Sequence, residues 1–326
     1  MNNSIYSDIA RRTGGNIYLG IVGPVRSGKS TFISKFMNTL VIPNIEDSYR
    51  KERANDELPQ SSAGKTIMTT EPKFVPEEAV SVNIDEGVAV NVRLIDCVGY
   101  IVPSAIGYIE NEAPRMVVTP WFEEEIPFNM AAEVGTRKVI TEHSTIGIVV
   151  TTDGTITDIP REEYENAEER IISELQEINK PFVVLLNTQY PDSEESRSLA
   201  AVMSEKYGTT VIPVNCLELD EEKIRTILGE ILLKFPVCEV NITMPKWINS
   251  LDKEHWLKKS VFDHIKSAAS SICGISDIKN AAKMMEECEY IDNASLTSLD
   301  LGTGTGVISI VPRSGLFFKI IQQIGN

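Results

Sequence analysis

The sequence is poor in basic residues. Its 326 residues include 31 lysines and arginines against 47 aspartates and glutamates, which gives a formal net charge of −16 with neutral histidines. Nucleic acids and anionic lipid surfaces are negatively charged themselves and repel a surface of this sign. The charge balance therefore argues against nucleic acid and against anionic lipid as direct partners.

Long hydrophobic runs are also missing. The most apolar stretches, such as 146–150 (IGIVV) and 182–187 (FVVLLN), have the length of strands, whereas a membrane-spanning helix needs about 20 apolar residues. Residues 1–15 lack the apolar segment of a signal peptide. We expect a cytoplasmic protein without a transmembrane segment, in which 42% hydrophobic residues are ample for a packed core.

Cysteine and histidine are scarce and scattered. The five cysteines form no C-x-x-C pair, and the three histidines (His143, His255 and His264) lack the spacing of metal ligands. This usage suits a reducing compartment, where cysteine behaves as a small core residue. It favours neither a disulfide framework nor a histidine-based metal site.

The most informative segment is residues 23–30 (GPVRSGKS), which fit the G-x-x-x-x-G-K-S phosphate loop at every position. The loop lies between a strand-like run (IYLGIV) and a helix-like run, as phosphate binding requires. Two glycines would let backbone N–H groups turn towards the phosphates. Lys29 would reach the β- and γ-phosphates, and the Ser30 hydroxyl would hold a magnesium ion. The nucleotide-binding candidates of this segment are Gly23, Arg26, Ser27, Gly28, Lys29, Ser30 and Thr31.

Asp96 and Gly99 form a second motif, D-x-x-G, at the end of an apolar strand (VRLID). In nucleotide hydrolases this aspartate holds magnesium through water, and the glycine N–H meets the γ-phosphate. Alone, the motif is also ordinary turn chemistry. Its place downstream of the phosphate loop, on the strand after a hairpin, makes the nucleotide role specific.

Residues 61–76 (SSAGKTIMTTEPKFVP) lie between these motifs and carry Thr69 and Thr70. A threonine here would close over magnesium and the γ-phosphate when a triphosphate is bound, and a threonine-rich surface loop is the alternative interpretation. The order of phosphate loop, threonine, hairpin and D-x-x-G is that of small-GTPase-like P-loop proteins, which favours the functional role. The catalytic candidates are Lys29, Thr69, Thr70 and Asp96, and the metal candidates are Ser30, Thr70 and Asp96.

Two departures from the GTPase pattern bear on the nucleotide. GTPases recognise guanine with an N-K-x-D motif whose Asp carboxylate accepts from the base, but residues 187–190 are Asn-Thr-Gln-Tyr. Asn187 remains a nucleotide-binding candidate, yet the missing carboxylate removes the preference for guanine, so we predict ATP. Gly99, a further candidate, is followed by Tyr100 and Ile101, and neither orients water as a glutamine would. We therefore predict slow hydrolysis that depends on the switch threonines and on assembly with other subunits.

Alternating strand-like and helix-like segments up to about residue 235 indicate an α/β fold with a mainly parallel sheet. We predict a P-loop NTPase with the mixed sheet of the small-GTPase-like (TRAFAC-type) class, because a hairpin pattern around Asp85-Glu86-Gly87 makes one strand antiparallel. The predicted strands are 17–22, 81–84, 88–95, 146–151, 182–187 and 210–214. The predicted helices are 28–38, 162–178, 197–207 and 220–233.

Two further regions differ from this pattern. Residues 101–145 form an insertion with four prolines, an acidic run at Glu123–Glu125 and little periodicity, which is typical of a functional or mobile segment. Residues 241–326 contain two helical stretches within 247–288, a strand-like run with glycine turns (TGTGVISIVP) and a helix-like end. We predict an ATPase domain over 1–240 and a small α+β module over 241–326.

Several segments together resemble the stage IV sporulation protein A family of endospore-forming bacteria, over nearly the whole chain. They are 10–37, 56–76, 93–100, 135–155 and 255–260, of which 56–76 (DELPQSSAGKTIMTTEPKFVP) is the most specific. The resemblance implies an ATPase rather than a GTPase. It also implies that Lys29 is the phosphate-loop lysine, Asp96 the magnesium-side aspartate, and Thr69 and Thr70 the sensor threonines.

The resemblance further implies a role in spore morphogenesis. Such a protein uses ATP hydrolysis to polymerise irreversibly on the forespore surface, where it forms the basement of the spore coat. Its partners would be further copies of itself, a small amphipathic membrane peptide (the spore protein VM) and other coat proteins. Its location would be the mother-cell cytoplasm, peripheral to the outer forespore membrane. Family members continue beyond Asn326 with a region tied to polymerisation and peptide binding, so we expect a truncated chain.

Two other functions stay open from the residues alone. One is a reversible regulatory GTPase, and the other is a small-molecule kinase, since many kinases share the phosphate loop. The kinase is disfavoured because no base is placed to activate an acceptor, whereas D-x-x-G and the threonine loop are both present. Competition between ATP and GTP separates an ATPase from a GTPase, and sedimentation with and without ATP separates a scaffold from a switch.

Overall fold

The computed structural model describes residues 5–59, 72–85, 88–110, 113–119, 122, 124–272 and 274–324. The chain forms two compact units, Met1–Ile231 and Leu232–Asn326. The predicted boundary after residue 240 lies inside a strand of the second unit, Glu239–Thr243.

Helices and strands alternate along the first unit. Its helices, the last of which extends past the unit boundary, are α1 (Ile5–Arg12), α2 (Lys29–Phe36), α3 (Ser48–Asp56), α4 (Phe128–Lys138), α5 (Glu165–Glu177), α6 (Glu194–Tyr207) and α7 (Glu221–Lys234). Its strands are β1 (Asn16–Val22), β2 (Lys73–Asp85), β3 (Val88–Asp96), β4 (Ile109–Glu110), β5 (Ala113–Pro114), β6 (Met116–Val117), β7 (Ile126–Pro127), β8 (Ile146–Thr152), β9 (Phe182–Asn187) and β10 (Val211–Val214).

Six strands form the central sheet in the order β10-β9-β8-β1-β3-β2. All neighbours are parallel except β2 and β3, which pair antiparallel from Lys73 opposite Asp96 to Asp85 opposite Val88. Every residue of β8 and of β9 is buried, as is usual where helices cover both faces of a parallel sheet. The predicted mixed α/β sheet of the P-loop class is confirmed, although positions 86 and 87 of the predicted hairpin lie outside the described residues.

Several element boundaries differ from the prediction. Strand β2 begins at Lys73 rather than at residue 81. The sequence did not predict its first part because Pro76 and the two glutamates after it interrupt the alternation of polar and apolar residues. The pairing with β3 shifts its register between Val75 and Val80, at the same place. Helix α6 begins earlier than predicted, after Ser193, whose side chain accepts from the Ser196 N–H and caps the helix. Helices α1 and α3 were not predicted.

The 101–145 insertion has more structure than its sequence indicated. It contains the short hairpins β4–β5 and β6–β7, then α4, which continues as a π-helical turn over Val139–His143. The buried face of α4 has helical spacing but mostly small side chains, which makes its hydrophobic periodicity weak. These buried residues are Phe128, Ala131, Ala132, Gly135 and Thr136.

The second unit is an α+β module, as its sequence predicted. Its elements are β11 (Glu239–Thr243), α8 (Lys246–Asn249), α9 (Trp256–Ala269), α10 (Asp277–Met285), β12 (Ile291–Asp300), β13 (Thr305–Pro312) and α11 (Leu316–Ile324). The strand order is β11-β13-β12, with β11 parallel and β12 antiparallel to β13. Strands β11 and β12 were missed because few of their side chains are buried. The GTGTG segment contributes the turn between β12 and β13, with Gly304 at φ 69°.

Candidate nucleotide site

The phosphate loop connects the carboxyl end of β1 to the amino end of α2. Gly28 precedes the first helical residue, Lys29, and has φ 99°, while Gly23 has φ 148°. Both values favour glycine, which lacks a Cβ. The loop therefore delivers the positive end of the α2 dipole to the edge where the parallel strands end, which is the usual place for a ligand in such sheets.

Close contacts explain why both glycines are needed. A Cβ at Gly23 would lie 2.1 Å from the Val150 carbonyl oxygen on β8, and one at Gly28 would lie 2.1 Å from Asn187 Nδ2 at the end of β9. Both distances are far below van der Waals contact. The loop therefore packs directly against the ends of two strands that neighbour each other in the sheet.

Lys29 is buried at the centre of the loop. Its Nζ donates to the Pro24 carbonyl oxygen at 2.7 Å and to the Gly23 carbonyl oxygen at 3.3 Å. Burial lowers the pKa of its ammonium group, an effect that the nearby Asp96 partly offsets. The loop thus holds a fixed cation among its own backbone groups, where phosphate oxygens bind in P-loop proteins.

Asp96 and Ser30 form the predicted metal pair. The Ser30 hydroxyl donates to Asp96 Oδ2 at 2.9 Å. Asp96 is 3% exposed, and its Oδ1 is buried without a hydrogen-bond partner among the residues described. Burial raises the pKa of the carboxyl group, against the opposing effects of Lys29 and Ser30.

This pair fits a magnesium ion. An unsatisfied buried carboxylate oxygen beside a hydroxyl is a hard oxygen donor set, and Mg²⁺ is usually bound by one or two such groups together with substrate phosphates. No group of three or more His, Cys, Asp or Glu side chains suited to a metal occurs in the described part of the chain. Further ligands would come from the nucleotide phosphates and, as the sequence predicts, from Thr70.

Gly99 lies against the phosphate loop. A Cβ at this position, where φ is 89°, would lie 2.3 Å from the Gly23 carbonyl oxygen and 2.5 Å from Lys29 Nζ. The next residue joins the two loops through the backbone, since the Val25 N–H donates to the Tyr100 carbonyl oxygen at 2.8 Å. The structure therefore brings together the two motifs that the sequence separates.

Asn187 links three segments around the phosphate loop. Its Nδ2 donates to the Ser27 carbonyl oxygen at 3.0 Å, and its Oδ1 accepts from the Cys216 N–H at 3.1 Å. Both ends of the amide thus contact protein and hold the loop in place, and contact with nucleotide stays a prediction. The Ser27 side chain is fully buried, and its hydroxyl has no hydrogen-bond partner in the described chain.

Residues 188–190 occupy the positions that follow the asparagine in the N-K-x-D motif, and their side chains make hydrogen bonds within the protein or face solvent. Thr188 is fully buried, and its hydroxyl accepts from the Tyr190 N–H at 3.1 Å. The Gln189 side chain donates to the Thr155 carbonyl oxygen at 2.7 Å. Tyr190, in the position of the guanine-reading aspartate, is 63% exposed. The carboxylate that would favour guanine is absent from this position.

The remaining predicted site residues are placed as follows. Arg26 has a left-handed backbone with φ 63°, which helps the loop to turn. Thr31 lies in the first turn of α2 and is half-buried. Thr69 and Thr70 lie outside the described residues, so their catalytic and metal roles stay predictions.

The sequence did not identify the partner of Tyr100. The Tyr100 hydroxyl lies 2.7 Å from both Oε1 and Oε2 of Glu174 on α5. The only signal was indirect, since Tyr100 follows D-x-x-G where many GTPases carry a glutamine.

None of the described helices combines the length and the apolar content that a membrane crossing demands.

The mixed sheet, the phosphate loop and the Ser30–Asp96 pair define a P-loop nucleotide-binding protein. Models of two domains of one family match the chain: stage IV sporulation protein A, ATPase domain, over residues 1–236, and its middle domain over residues 237–326. The chain belongs to the stage IV sporulation protein A family, which confirms the resemblance seen in its sequence.

Individual proteins agree with this assignment. The chain is 50% identical over 320 residues to stage IV sporulation protein A of Bacillus anthracis. This match covers 98% of the present chain and 65% of the relative. It is 49% identical to the Bacillus subtilis (strain 168) protein of that name, with the same coverage. The chain therefore spans about two thirds of the length of these relatives. Among solved structures, a crystal structure of SsGBP with GDP matches at TM-score 0.38 and 15% identity, over 66% of this chain and 49% of that one.

Proposed function

We propose that the first unit binds ATP with Mg²⁺ and hydrolyses it slowly to ADP and phosphate. The observation that carries this proposal is the convergence of Lys29, the Ser30–Asp96 pair and Gly99 at one edge of the sheet. The match to a domain described as an ATPase supports the reaction. Tyr190 in place of the guanine-reading aspartate supports ATP over GTP.

Each group has a defined part in this reaction. Lys29 and the backbone N–H groups of the loop would bind the β- and γ-phosphates. Ser30 and Asp96, joined by Thr70 when the triphosphate is bound, would hold Mg²⁺, which offsets negative charge on the phosphate oxygens. The Gly99 N–H would meet the γ-phosphate, and Thr69 would contact the attacking water. The absence of a glutamine after Gly99 is the reason that we expect slow turnover.

We further propose that the full-length protein converts hydrolysis into assembly. It would polymerise into the basement layer of the spore coat on the forespore surface, from the mother-cell cytoplasm. A small amphipathic membrane peptide (the spore protein VM) would recruit it, and other coat proteins would add to it. Recruitment through a peptide is consistent with the net charge of −16, which disfavours direct binding to anionic lipid.

Two assays test the proposal. This chain should release phosphate from ATP slowly and only with Mg²⁺, and it should not form long filaments. A full-length relative should sediment with ATP, and the double variant equivalent to Thr69→Ala and Thr70→Ala should bind ATP but neither hydrolyse it nor sediment. ATP-dependent filaments of residues 1–326 in electron micrographs would contradict the need for a further region. Sedimentation that reverses on removal of nucleotide would favour a regulatory switch instead.

A further inference from the structure

Tyr100 is a buried side chain directly after the glycine of D-x-x-G. It is 4% exposed, and its hydroxyl lies between the two carboxylate oxygens of Glu174, at 2.7 Å from each. A phenol has one proton to donate, so the two short contacts share a single strong, charge-assisted hydrogen bond. The hydroxyl end of the aromatic ring is thereby fixed to Glu174 on α5.

The backbone of the same residue is fixed to the phosphate loop. The Tyr100 carbonyl oxygen accepts from the Val25 N–H at 2.8 Å. Gly99, immediately before it, packs against the Gly23 carbonyl oxygen and Lys29 Nζ. Because Gly99 and Tyr100 are joined by one peptide bond, a displacement of Tyr100 would also move Gly99 relative to Lys29.

The contacts continue beyond Glu174. The Arg170 guanidinium lies 4.9 Å from the centre of the Tyr100 ring, and its Nε lies 3.6 Å from Glu174 Oε1. Its two terminal nitrogens donate to the two carboxylate oxygens of Glu133 on α4, each at 2.8 Å. We call Tyr100, Glu174, Arg170 and Glu133 the tyrosine relay. It runs without a break from the D-x-x-G loop to the 101–145 insertion.

The relay also borders a cavity of about 460 Å³. Tyr100, Arg170 and Glu133 form part of its wall, and much of the rest comes from the insertion, including Tyr108 and Ile109. A pocket therefore lies between part of the insertion and α5 beside Tyr100. The bidentate pair of Arg170 and Glu133 links the insertion to α5 at the wall of this pocket.

We propose that Tyr100 is a positioning residue of the nucleotide site, which holds Gly99 in place through Glu174, and that Arg170 and Glu133 extend this support to α4. The inference rests on the proposed ATPase function and adds a structural role for the insertion. Burial and the Glu174 carboxylate raise the pKa of Tyr100, so its phenol stays protonated and remains a donor at working pH. The orientation of Gly99 then depends on the position of the insertion.

Steady-state kinetics of Tyr100→Phe test the first part. The variant keeps the ring and loses only the hydroxyl, so we expect kcat for Mg-ATP to fall roughly three- to tenfold, with KM nearly unchanged, because an indirect effect on Gly99 transmits only part of the free energy of a charge-assisted hydrogen bond. The matched control is Tyr108→Phe, because Tyr108 borders the same cavity and its hydroxyl donates to the Pro103 carbonyl oxygen at 3.2 Å. An unchanged kcat in Tyr100→Phe, or an equal loss in both variants, would overturn the proposal.

Glu174 offers a test by a conservative variant. In Glu174→Gln the amide oxygen still accepts from the Tyr100 hydroxyl, so kcat should stay close to that of the unmodified chain. Glu174→Ala removes the acceptor and should behave like Tyr100→Phe. Equal losses in the two Glu174 variants would show that packing, rather than the hydrogen bond, is responsible.

Glu133→Gln tests the extension to the insertion. The variant weakens the bidentate pair with Arg170, so kcat should fall. Because the two substitutions act on one set of contacts, the fold decrease in kcat of the double variant with Tyr100→Phe should be smaller than the product of the two single fold decreases. Glu142→Gln is the control, since Glu142 pairs with Lys138 nearby in the insertion, at 3.3 Å, outside the relay. No effect of Glu133→Gln would limit the inference to Tyr100 and Glu174.

Hydrogen exchange separates this inference from the proposed function. Without nucleotide, amides in residues 97–102 should exchange roughly three- to tenfold faster in Tyr100→Phe than in the unmodified chain, because a hydrogen bond that closes this segment is lost. If the unmodified chain does not hydrolyse ATP, the proposed function fails and this measurement still decides the inference. Unchanged exchange in Tyr100→Phe would overturn it.

Discussion

Lys29 and Asp96 are charged side chains inside the protein, and burial acts against both charges. It lowers the pKa of the lysine and raises that of the aspartate, while each charge partly stabilises the other. Folding alone would favour apolar side chains at such positions. Their presence at the end of β3 and the start of α2 is therefore best explained by a ligand that uses both charges, as a magnesium–nucleotide complex does.

Replacing Lys29 with Ala should weaken binding of triphosphate roughly 10- to 100-fold, the usual cost of losing hydrogen bonds to a charged group. The fold should survive, because the buried ammonium group donates to loop carbonyls rather than joining core elements, and its burial costs free energy. Titration with a fluorescent ATP analogue measures the first effect, and circular dichroism measures the second. An unfolded Lys29→Ala protein would show that the lysine is structural.

Asp96→Ala should separate catalysis from binding. Most of the affinity is expected from Lys29 and the backbone N–H groups of the loop, so magnesium-dependent hydrolysis should fall more than nucleotide affinity. Phosphate release and equilibrium binding, measured on the same preparation with and without Mg²⁺, give the two numbers. Asp96→Asn, which can still accept from Ser30, is the control for lost packing. Equal losses in rate and affinity would assign Asp96 a structural role.

At the residue scale, the sequence predicted site residues within contiguous motifs but not contacts between residues that are far apart along the chain. The phosphate loop and D-x-x-G are contiguous motifs, so their residues could be read directly. Glu174 is 74 residues from Tyr100, and only the packing of α5 against the loop brings them together. The position of Asn187 was predictable from its motif, but the engagement of both ends of its amide was not, since one partner is the Cys216 backbone N–H.

At the scale of elements, helix α5 is held by a buried ion pair. Two nitrogens of Arg161 donate to the two carboxylate oxygens of Glu168, each at 2.8 Å, and the Tyr207 hydroxyl donates to the same carboxylate at 2.6 Å. The Glu168 side chain is fully buried. This cluster joins the turn before α5 to the end of α6, and it fixes the helix that carries Glu174 and Arg170.

Arg161→Ala should lower the free energy of unfolding by about 3 kcal/mol, because it leaves the Glu168 carboxylate buried without its cation. Arg197→Ala is the matched control, since Arg197 forms an exposed pair with Asp192 at 3.0 Å, and its loss should cost less than about 1 kcal/mol. Urea unfolding followed by circular dichroism compares the two variants. Similar midpoints for both would contradict a structural role for the Arg161–Glu168 pair.

Elements with strong hydrophobic periodicity were predictable, and those with small or polar buried faces were not. Strands β8 and β9 are continuous apolar runs and were predicted closely. Apart from Phe128, the buried residues of helix α4 are alanine, glycine and threonine, so its hydrophobic pattern resembles that of a loop. Strand β12 buries mainly Ile291 and Ala294 along ten residues, and its pairing with β13 rather than its own hydrophobicity defines it.

At the scale of the whole molecule, the chain divides into a nucleotide-binding unit and a smaller α+β unit. The two family models change over between residues 236 and 237, close to the division between the compact units. The chain covers 65% of its Bacillus anthracis relative, so assembly belongs to experiments on full-length proteins. The chemistry of the first unit can be tested on this chain directly.

The central claim is that this P-loop unit uses ATP and not GTP, and competition binding tests it most directly. Dissociation constants for ATP and GTP should be measured on the same preparation with Mg²⁺, and again with Tyr190→Asp, which restores a carboxylate in the guanine-reading position. We predict that ATP binds more tightly to the unmodified chain and that Tyr190→Asp shifts the preference towards GTP. Tenfold tighter binding of GTP by the unmodified chain, about 1.4 kcal/mol in its favour, would contradict the account.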